Sequence, residues 1–198
     1  MPPFHNETRA DPKKIRATTA ATHALLALLA CTAAWAQAPA LPSAEQTDPA
    51  KLGMEQDAYF TVDSVGNEFA GGGLNTGLRD LARFGEMMRN DGRFNGQQIV
   101  PWAVIDDIRF HGDKAAFPQA SYPTLPGWAY RNMWWVSNNE HGAYATRGIH
   151  GQTVYIDPQA EMVVARYASF PMPANAFNDP TSLPAYHALA KHLMANPR

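Results

Sequence analysis

The chain has 198 residues, of which 45% are hydrophobic and 17% charged, with a formal net charge of −2. That length and balance suit one ordinary domain with a buried core and exclude a disordered chain. With no basic excess and with Lys and Arg scattered, the composition also excludes an electrostatic footprint for nucleic acid.

Lys13, Lys14 and Arg16 precede the apolar run 24–34, and Ala34-Trp35-Ala36 follows it as a small-x-small site. This is the order of a secretory signal, and the run is too short to span a bilayer as a mature helix. The flanks disfavour an ordinary buried helix. The sequence therefore predicts a signal peptide over 1–36 and a periplasmic or secreted product. Membrane contact is expected only through that signal or through a lipid on Cys31, which ends the lipoprotein-type string Leu28-Leu29-Ala30-Cys31. Cleavage before Gln37 removes the only cysteine, so export brings no disulfide framework. Residues 37–50 are Pro- and Ala-rich without apolar periodicity and read as a linker, leaving 51–198 as the folded portion.

Tyr59 to Val62 has strand composition, and Asp63 to Asn67 reads as a turn returning from it. Gly71-Gly72-Gly73-Leu74-Asn75 is a flexible step into a helix. In that helix Asn75 or Thr76 is the expected cap, and Leu78, Leu81, Ala82, Gly85 and Met88 lie on an inward stripe. Arg79, Arg83 and Glu86 point to water, and Asn90-Asp91-Gly92 is the stop. A second helix has Pro101 near its first turn and Trp102, Ile105 and Ile108 at apolar spacing. Residues 110–127, rich in Pro, Gly and aromatics, read as a long ordered loop.

Four or five antiparallel strands are expected between Trp128 and Tyr167. The clearest are Ala143 to Ile149, Gln152 to Asp157 and Met162 to Tyr167. Gly148-Ile149-His150-Gly151 joins the first two, and Asp157-Pro158-Gln159-Ala160 joins the last two, as in a meander. Glycines on both sides of Ile149 and His150 let the backbone pass close to a ligand or another segment. A final helix is expected from Ser182 to Met194, with Ser182 as cap, Pro184 in the first turn, and Leu183, Tyr186, Ala190 and Leu193 inward. The pattern is α+β, an antiparallel sheet covered by helices.

Isolated polar groups have plainer readings. His111-Gly112-Asp113 lacks a companion His-x-His or His-Glu-x-x-His and reads as a loop turn. Asp106, Asp107 and Glu161 read as solvated charges. Of Trp128, Tyr130, Trp134 and Trp135, strand alternation packs one set against helices. His150 reads equally as a group that polarises substrate or as an imidazole bonded to backbone.

Several motifs follow one another in order. They are Gly71-Gly72-Gly73-Leu74-Asn75 before Leu78-Arg79-Asp80-Leu81-Ala82-Arg83-Phe84-Gly85, then Tyr130-Arg131-Asn132-Met133-Trp134-Trp135. Ala145-Thr146-Arg147-Gly148-Ile149-His150-Gly151-Gln152 and Tyr155-Ile156-Asp157-Pro158 complete the set. In order and spacing they resemble the second half of the serine β-lactamase-related family, most of all its 6-aminohexanoate-dimer hydrolase and esterase branch. Such enzymes use Ser-x-x-Lys on a helix, a Tyr that helps move the proton, and a strand carrying Lys-Thr-Gly or a variant. Residues i and i+3 share a helix face, so the Lys amine sits beside the Ser hydroxyl and takes up its proton.

The resemblance implies an incomplete β-lactamase/transpeptidase-like fold in which Thr146-Arg147-Gly148 stands where Lys-Thr-Gly would be. It implies that the Ile149 N–H, next to Gly148, is the strand's oxyanion donor. Trp135 would be an aromatic pocket wall and Ser169 to Pro180 a pocket rim, with Thr146, Arg147, His150 and Asn75 toward substrate. Thr and Arg in the first two motif places favour a small amide or ester over a β-lactam. No cofactor or metal is implied.

The sequence departs from the family at the nucleophile. Its serines are Ser43, Ser64, Ser121, Ser137, Ser169 and Ser182, and three residues after them stand Gln46, Asn67, Thr124, Glu140, Met172 and Ala185. None is Lys, and no Gly-x-Ser-x-Gly elbow occurs. Tyr130-Arg131-Asn132 matches the family's Tyr-x-Asn only superficially, because it leads into the Trp pair. The expectation is a partial hydrolase, inactive alone, that needs a complementing N-terminal half. It should have an unpaired sheet edge and an uncovered apolar face, and hence marginal stability. The alternative is a non-catalytic periplasmic binding or interaction module that keeps Trp135 and the strand from Arg147 to His150.

Overall fold

A computed structural model describes residues 49–69, 72–116 and 122–197. The predicted signal peptide, the Cys31 anchor and the linker before Pro49 lie outside the described residues, as do Gly71 and part of the 110–127 loop. Pro49 and Ala50, expected as linker, open a short 3-10 helix, Pro49–Leu52.

In chain order the elements are β1 (Tyr59–Phe60), β2 (Leu74–Asn75), α1 (Leu78–Arg89), β3 (Arg93–Phe94), β4 (Gln97–Gln98) and α2 (Trp102–Phe110). They continue as β5 (Ala129–Arg131), β6 (Trp134–Val136), β7 (Tyr144–Arg147), β8 (Thr153–Asp157), β9 (Met162–Arg166) and α3 (Asp179–Ala195). Strands β5 to β9 form one antiparallel sheet in sequence order. Short turns enforce that order. Asn132 and Met133 adopt φ of 48° and 69° between β5 and β6, and Asp157 accepts the Ala160 N–H at 3.0 Å between β8 and β9.

Alternation along these strands divides the interior in two. Trp134, Val136, Tyr144, Val154 and Ile156 pack with Met87 and Met88 of α1 and with Ile105 and Ile108 of α2. Ala145, Tyr155 and Met162 pack on the other face with Tyr186 and Ala190 of α3. The α+β expectation thus holds, with helices on both faces. Gly85 lets α1 lie close to the sheet, since a Cβ there would stand 2.5 Å from a Val163 methyl and 2.9 Å from a Val154 methyl.

Several local expectations give way to tertiary contacts. Neither Asn75 nor Thr76 caps α1; its cap position is Gly77, without a side-chain bond. Asp80, one turn in, secures that end. Its buried carboxylate accepts the N–H of Glu55 at 2.9 Å and of Gln56 at 3.2 Å, and Arg83 Nη1 at 2.6 Å. These bonds, the Glu55 N–H foremost, hold the Asp80 carboxyl below its usual range. Leu78 and Trp102, predicted inward, are exposed, and each is the first residue of its helix. A stripe sets a side chain's direction, not whether anything packs there. The last helix starts at Asp179, with Pro180 in its first turn, while Ser182 is buried and accepts Arg166 Nη1 at 2.9 Å.

Among the described residues, β5 and β9 are sheet edges paired on one side only. The expected uncovered apolar face does not occur on this sheet, because α3 covers the side left by α1 and α2. Exposed apolar side chains instead gather around β1 and β2, at Tyr59, Phe60, Phe69 and Leu74. No described helix is long and apolar enough to cross a membrane.

Candidate active site

Strand β7 carries the residues expected to do chemistry, and its pleat separates them. Thr146 pairs with Val154 and so faces the α1 side of the sheet. Ala145 and Arg147 face α3. The side chains of Thr146 and Arg147 therefore lie on opposite faces of the sheet.

Arg147, expected at the substrate, is an internal clamp. Its Nη2 lies 2.5 Å from Asp179 Oδ1, and the two side chains are only 7% and 6% exposed. Its guanidinium carbon sits 5.2 Å from the Trp135 ring centre and 5.9 Å from that of Trp128. Alternation turned the residue toward α3, and a carboxylate was waiting at the start of that helix. Trp135 lies opposite Ala145 on the same face. Tyr122 and Tyr130 meet its ring edge-on, with centroids 4.9 Å and 5.1 Å away. Trp135 is therefore half-buried in a box of Tyr122, Tyr130 and Arg147.

Beyond Arg147 the chain leaves the sheet. Gly148 is extended; its N–H donates to the Gln152 carbonyl at 2.9 Å, and its carbonyl accepts Asn175 Nδ2 at 2.8 Å. Ile149 to Gly151 then form a 3-10 turn in which His150 and Gly151 have φ of 57° and 89°. The expected pocket rim packs on this turn. The His150 N–H donates to the Pro173 carbonyl at 3.0 Å, and the Phe170 N–H donates to the His150 carbonyl at 3.1 Å. A side chain at residue 151 would run into the Phe170 ring, so only glycine fits there.

His150 Nδ1 lies 2.7 Å from the Phe170 carbonyl. A carbonyl oxygen only accepts, so Nδ1 carries a proton in this contact. Of its two readings, the backbone-bonded imidazole describes this contact. Ile149 is 64% exposed, and its N–H donates to no group among the described residues.

Asn75 donates to the Gly73 carbonyl at 2.9 Å and lines an open groove with Tyr59, Thr76, Gln152 and Tyr167. The fold thus brings Asn75 to the flank of the 148–152 turn. It does not bring Trp135 there. Trp135, Gly148 and Ile149 are absent from the lining of this groove and of the two hollows between the sheet and α3.

One buried polar pair has no sequence signal. His141 Nδ1 lies 2.7 Å from Asp157 Oδ2, both groups are buried, and the His141 ring stacks on His187 at 5.3 Å. It fastens the turn before β7 to the end of β8. Tyr155, on the α3 face between these groups, has its phenol pushed up to about 12, chiefly by burial. Because the folded value lies above the unfolded value near 10, Tyr155 contributes stability below about pH 10 that is lost as pH rises through about 12. Urea midpoints measured across that window should fall, and Tyr155→Phe should flatten the fall.

No protein-family model matches the chain. Over 125 residues it is 35% identical to the 6-aminohexanoate-dimer hydrolase of Paenarthrobacter ureafaciens, a match covering 63% of this chain and 32% of that protein. A solved structure from Bacillus anthracis, provisionally named a 6-aminohexanoate-dimer hydrolase, superposes with a TM-score of 0.64 at 36% identity. That superposition covers 75% of this chain and 37% of the other. Over part of its length, the chain is similar to proteins named 6-aminohexanoate-dimer hydrolases. It spans about a third of the length of the two hydrolases it matches. A Bacteroides dorei protein, provisionally named a β-lactamase, gives a TM-score of 0.45 at 17% identity over 69% of this chain and 49% of its own. Over the matched three quarters of the chain, the sheet and helices share the fold of the Bacillus anthracis structure.

Proposed function

We propose that this chain supplies one wall of an amide- or ester-hydrolysing pocket, the wall that meets the oxyanion, and that the attacking serine comes from outside it. The Ile149 N–H carries the reading. It stands in an exposed turn with no partner among the described residues, while Gly148 and His150 on either side are bonded to Gln152, Asn175, Phe170 and Pro173. A donor fixed in place before charge develops needs no reorganisation when the tetrahedral intermediate forms.

In the reaction, a serine hydroxyl adds to the substrate carbonyl while a lysine three residues on takes its proton. The carbonyl oxygen becomes the anion that Ile149 N–H receives. Collapse expels the amine or alcohol with a proton, and water then releases the acid from the acyl-serine. Asn75 and His150 border the substrate, Gly148 presents Ile149, and Thr146 and Arg147 brace the strand from its two faces. The substrate is a small amide or ester. The place of action is the periplasm or the medium, and the partner is a complementing half that carries Ser-x-x-Lys.

The test combines the chain with a separately made segment of a relative containing Ser-x-x-Lys and follows ester cleavage. Turnover should appear only with both parts. It should then fall roughly 100- to 1,000-fold on Ile149→Pro, which deletes the donor. The extended backbone of Gly148 accepts a following proline. An inactive mixture, with the chain alone binding amides, would overturn the reading in favour of a non-catalytic binding module. The Trp135 box of Tyr122 and Tyr130 is the observation that favours that second reading.

A further inference from the structure

Behind Arg147, where β7, β8 and β9 face the first turns of α3, lies a hollow of about 10 Å³. Its lining includes Arg147, Arg166, Asn178, Asp179 and Tyr186. Three of its buried polar atoms, Arg147 Nη1, Asn178 Nδ2 and Tyr186 Oη, have no hydrogen-bond partner among the described residues. Such atoms are uncommon in a folded interior, and each calls for something to receive its proton.

The charges around the hollow do not cancel. Among the described residues Asp179 is the only carboxylate in the lining, and both its oxygens are engaged, Oδ1 by Arg147 Nη2 at 2.5 Å and Oδ2 by the Thr124 hydroxyl at 2.5 Å. Arg166, the second guanidinium, donates to the Gly151 carbonyl at 2.8 Å and to Ser182 Oγ at 2.9 Å, neither of them anionic. Two guanidiniums therefore face one carboxylate, with Arg147 and Asp179 buried and Arg166 half-buried. The unpartnered atoms also point to the sign of what is missing. The guanidinium and amide nitrogens can only donate, so what they lack is an acceptor, and an anion can accept from all three groups at once where a water accepts from at most two. Burial keeps the Tyr186 phenol in its neutral, donating form.

We propose that the hollow at Arg147, Asn178 and Tyr186 binds one monatomic monovalent anion, with chloride as the physiological occupant. A space of about 10 Å³ admits roughly one water-sized particle, so sulfate, phosphate and carboxylates are excluded by size. The ion neutralises the surplus charge and ties the end of β7 to the start of α3. Arg147 directly precedes Gly148 and Ile149, so occupancy also steadies the proposed oxyanion turn. The anion site stands on the buried groups alone and survives if that turn proves non-catalytic.

The experiment uses the full chain and two measurements. Thermal unfolding is followed in sodium chloride, sodium bromide and sodium gluconate at equal ionic strength, and crystals are grown in bromide for anomalous diffraction. The expected result is a saturable rise in Tm with chloride and bromide but not with gluconate, and a bromide peak within hydrogen-bonding distance of Arg147 Nη1. Tyr186→Phe, which removes one donor and keeps the ring, should weaken chloride roughly ten-fold. Equal melting in all three salts with no bromide peak at Arg147 would overturn the proposal and leave the hollow to water. The bromide map on the unaltered chain decides the question even if the variant fails to fold.

Discussion

Ester turnover by the purified chain alone is expected to remain at the uncatalysed rate, with none of its six serines labelled by a fluorophosphonate probe. An alcohol attacks a carbonyl at neutral pH only when a base stands ready for its proton. No serine here has Lys at i+3, and two of the described hydroxyls are committed elsewhere. Ser137 Oγ donates to the Ala143 carbonyl at 2.7 Å, and Ser182 Oγ receives Arg166 Nη1 at 2.9 Å. Removing the nucleophile from a serine hydrolase typically costs on the order of a million-fold in kcat, and the contribution left by an oxyanion donor is small beside that. Stoichiometric labelling of a single serine, located by mass spectrometry, would show that this chain has a nucleophile of its own.

Asp179→Ala is expected to lower stability by about 3–5 kcal/mol, read as a shift of the urea midpoint at unchanged slope. Both partners of the Arg147–Asp179 pair are over nine-tenths buried, so the alanine variant leaves the guanidinium between Trp128 and Trp135 without its carboxylate. Replacing both partners at once, Arg147→Met with Asp179→Leu, should recover most of the loss, because the cost lies in the unpaired charge rather than in the missing bridge. A loss below about 1 kcal/mol for Asp179→Ala would match a solvent-screened surface pair and contradict the burial.

The strands were legible because their signal is local. Tyr144 to Arg147, Thr153 to Asp157 and Met162 to Arg166 alternate with period two, and Asp157 to Ala160 is a turn by its own chemistry, so register follows from residues a few positions apart. The same locality made the missing Ser-x-x-Lys readable, since a motif on one helix face is a statement about neighbours in sequence. Sequence therefore determined the antiparallel meander, the three helices and the absence of any Ser-x-x-Lys from these residues.

The partners of the polar side chains were decided by tertiary structure alone. Arg147 meets Asp179 across 32 residues, His141 meets Asp157 across 16, and the Tyr144 hydroxyl reaches the Met88 carbonyl across 56. No periodicity encodes such meetings. They arise because a buried charge or donor must find a complement wherever packing brings one, and here that requirement turned an expected substrate ligand into a clamp.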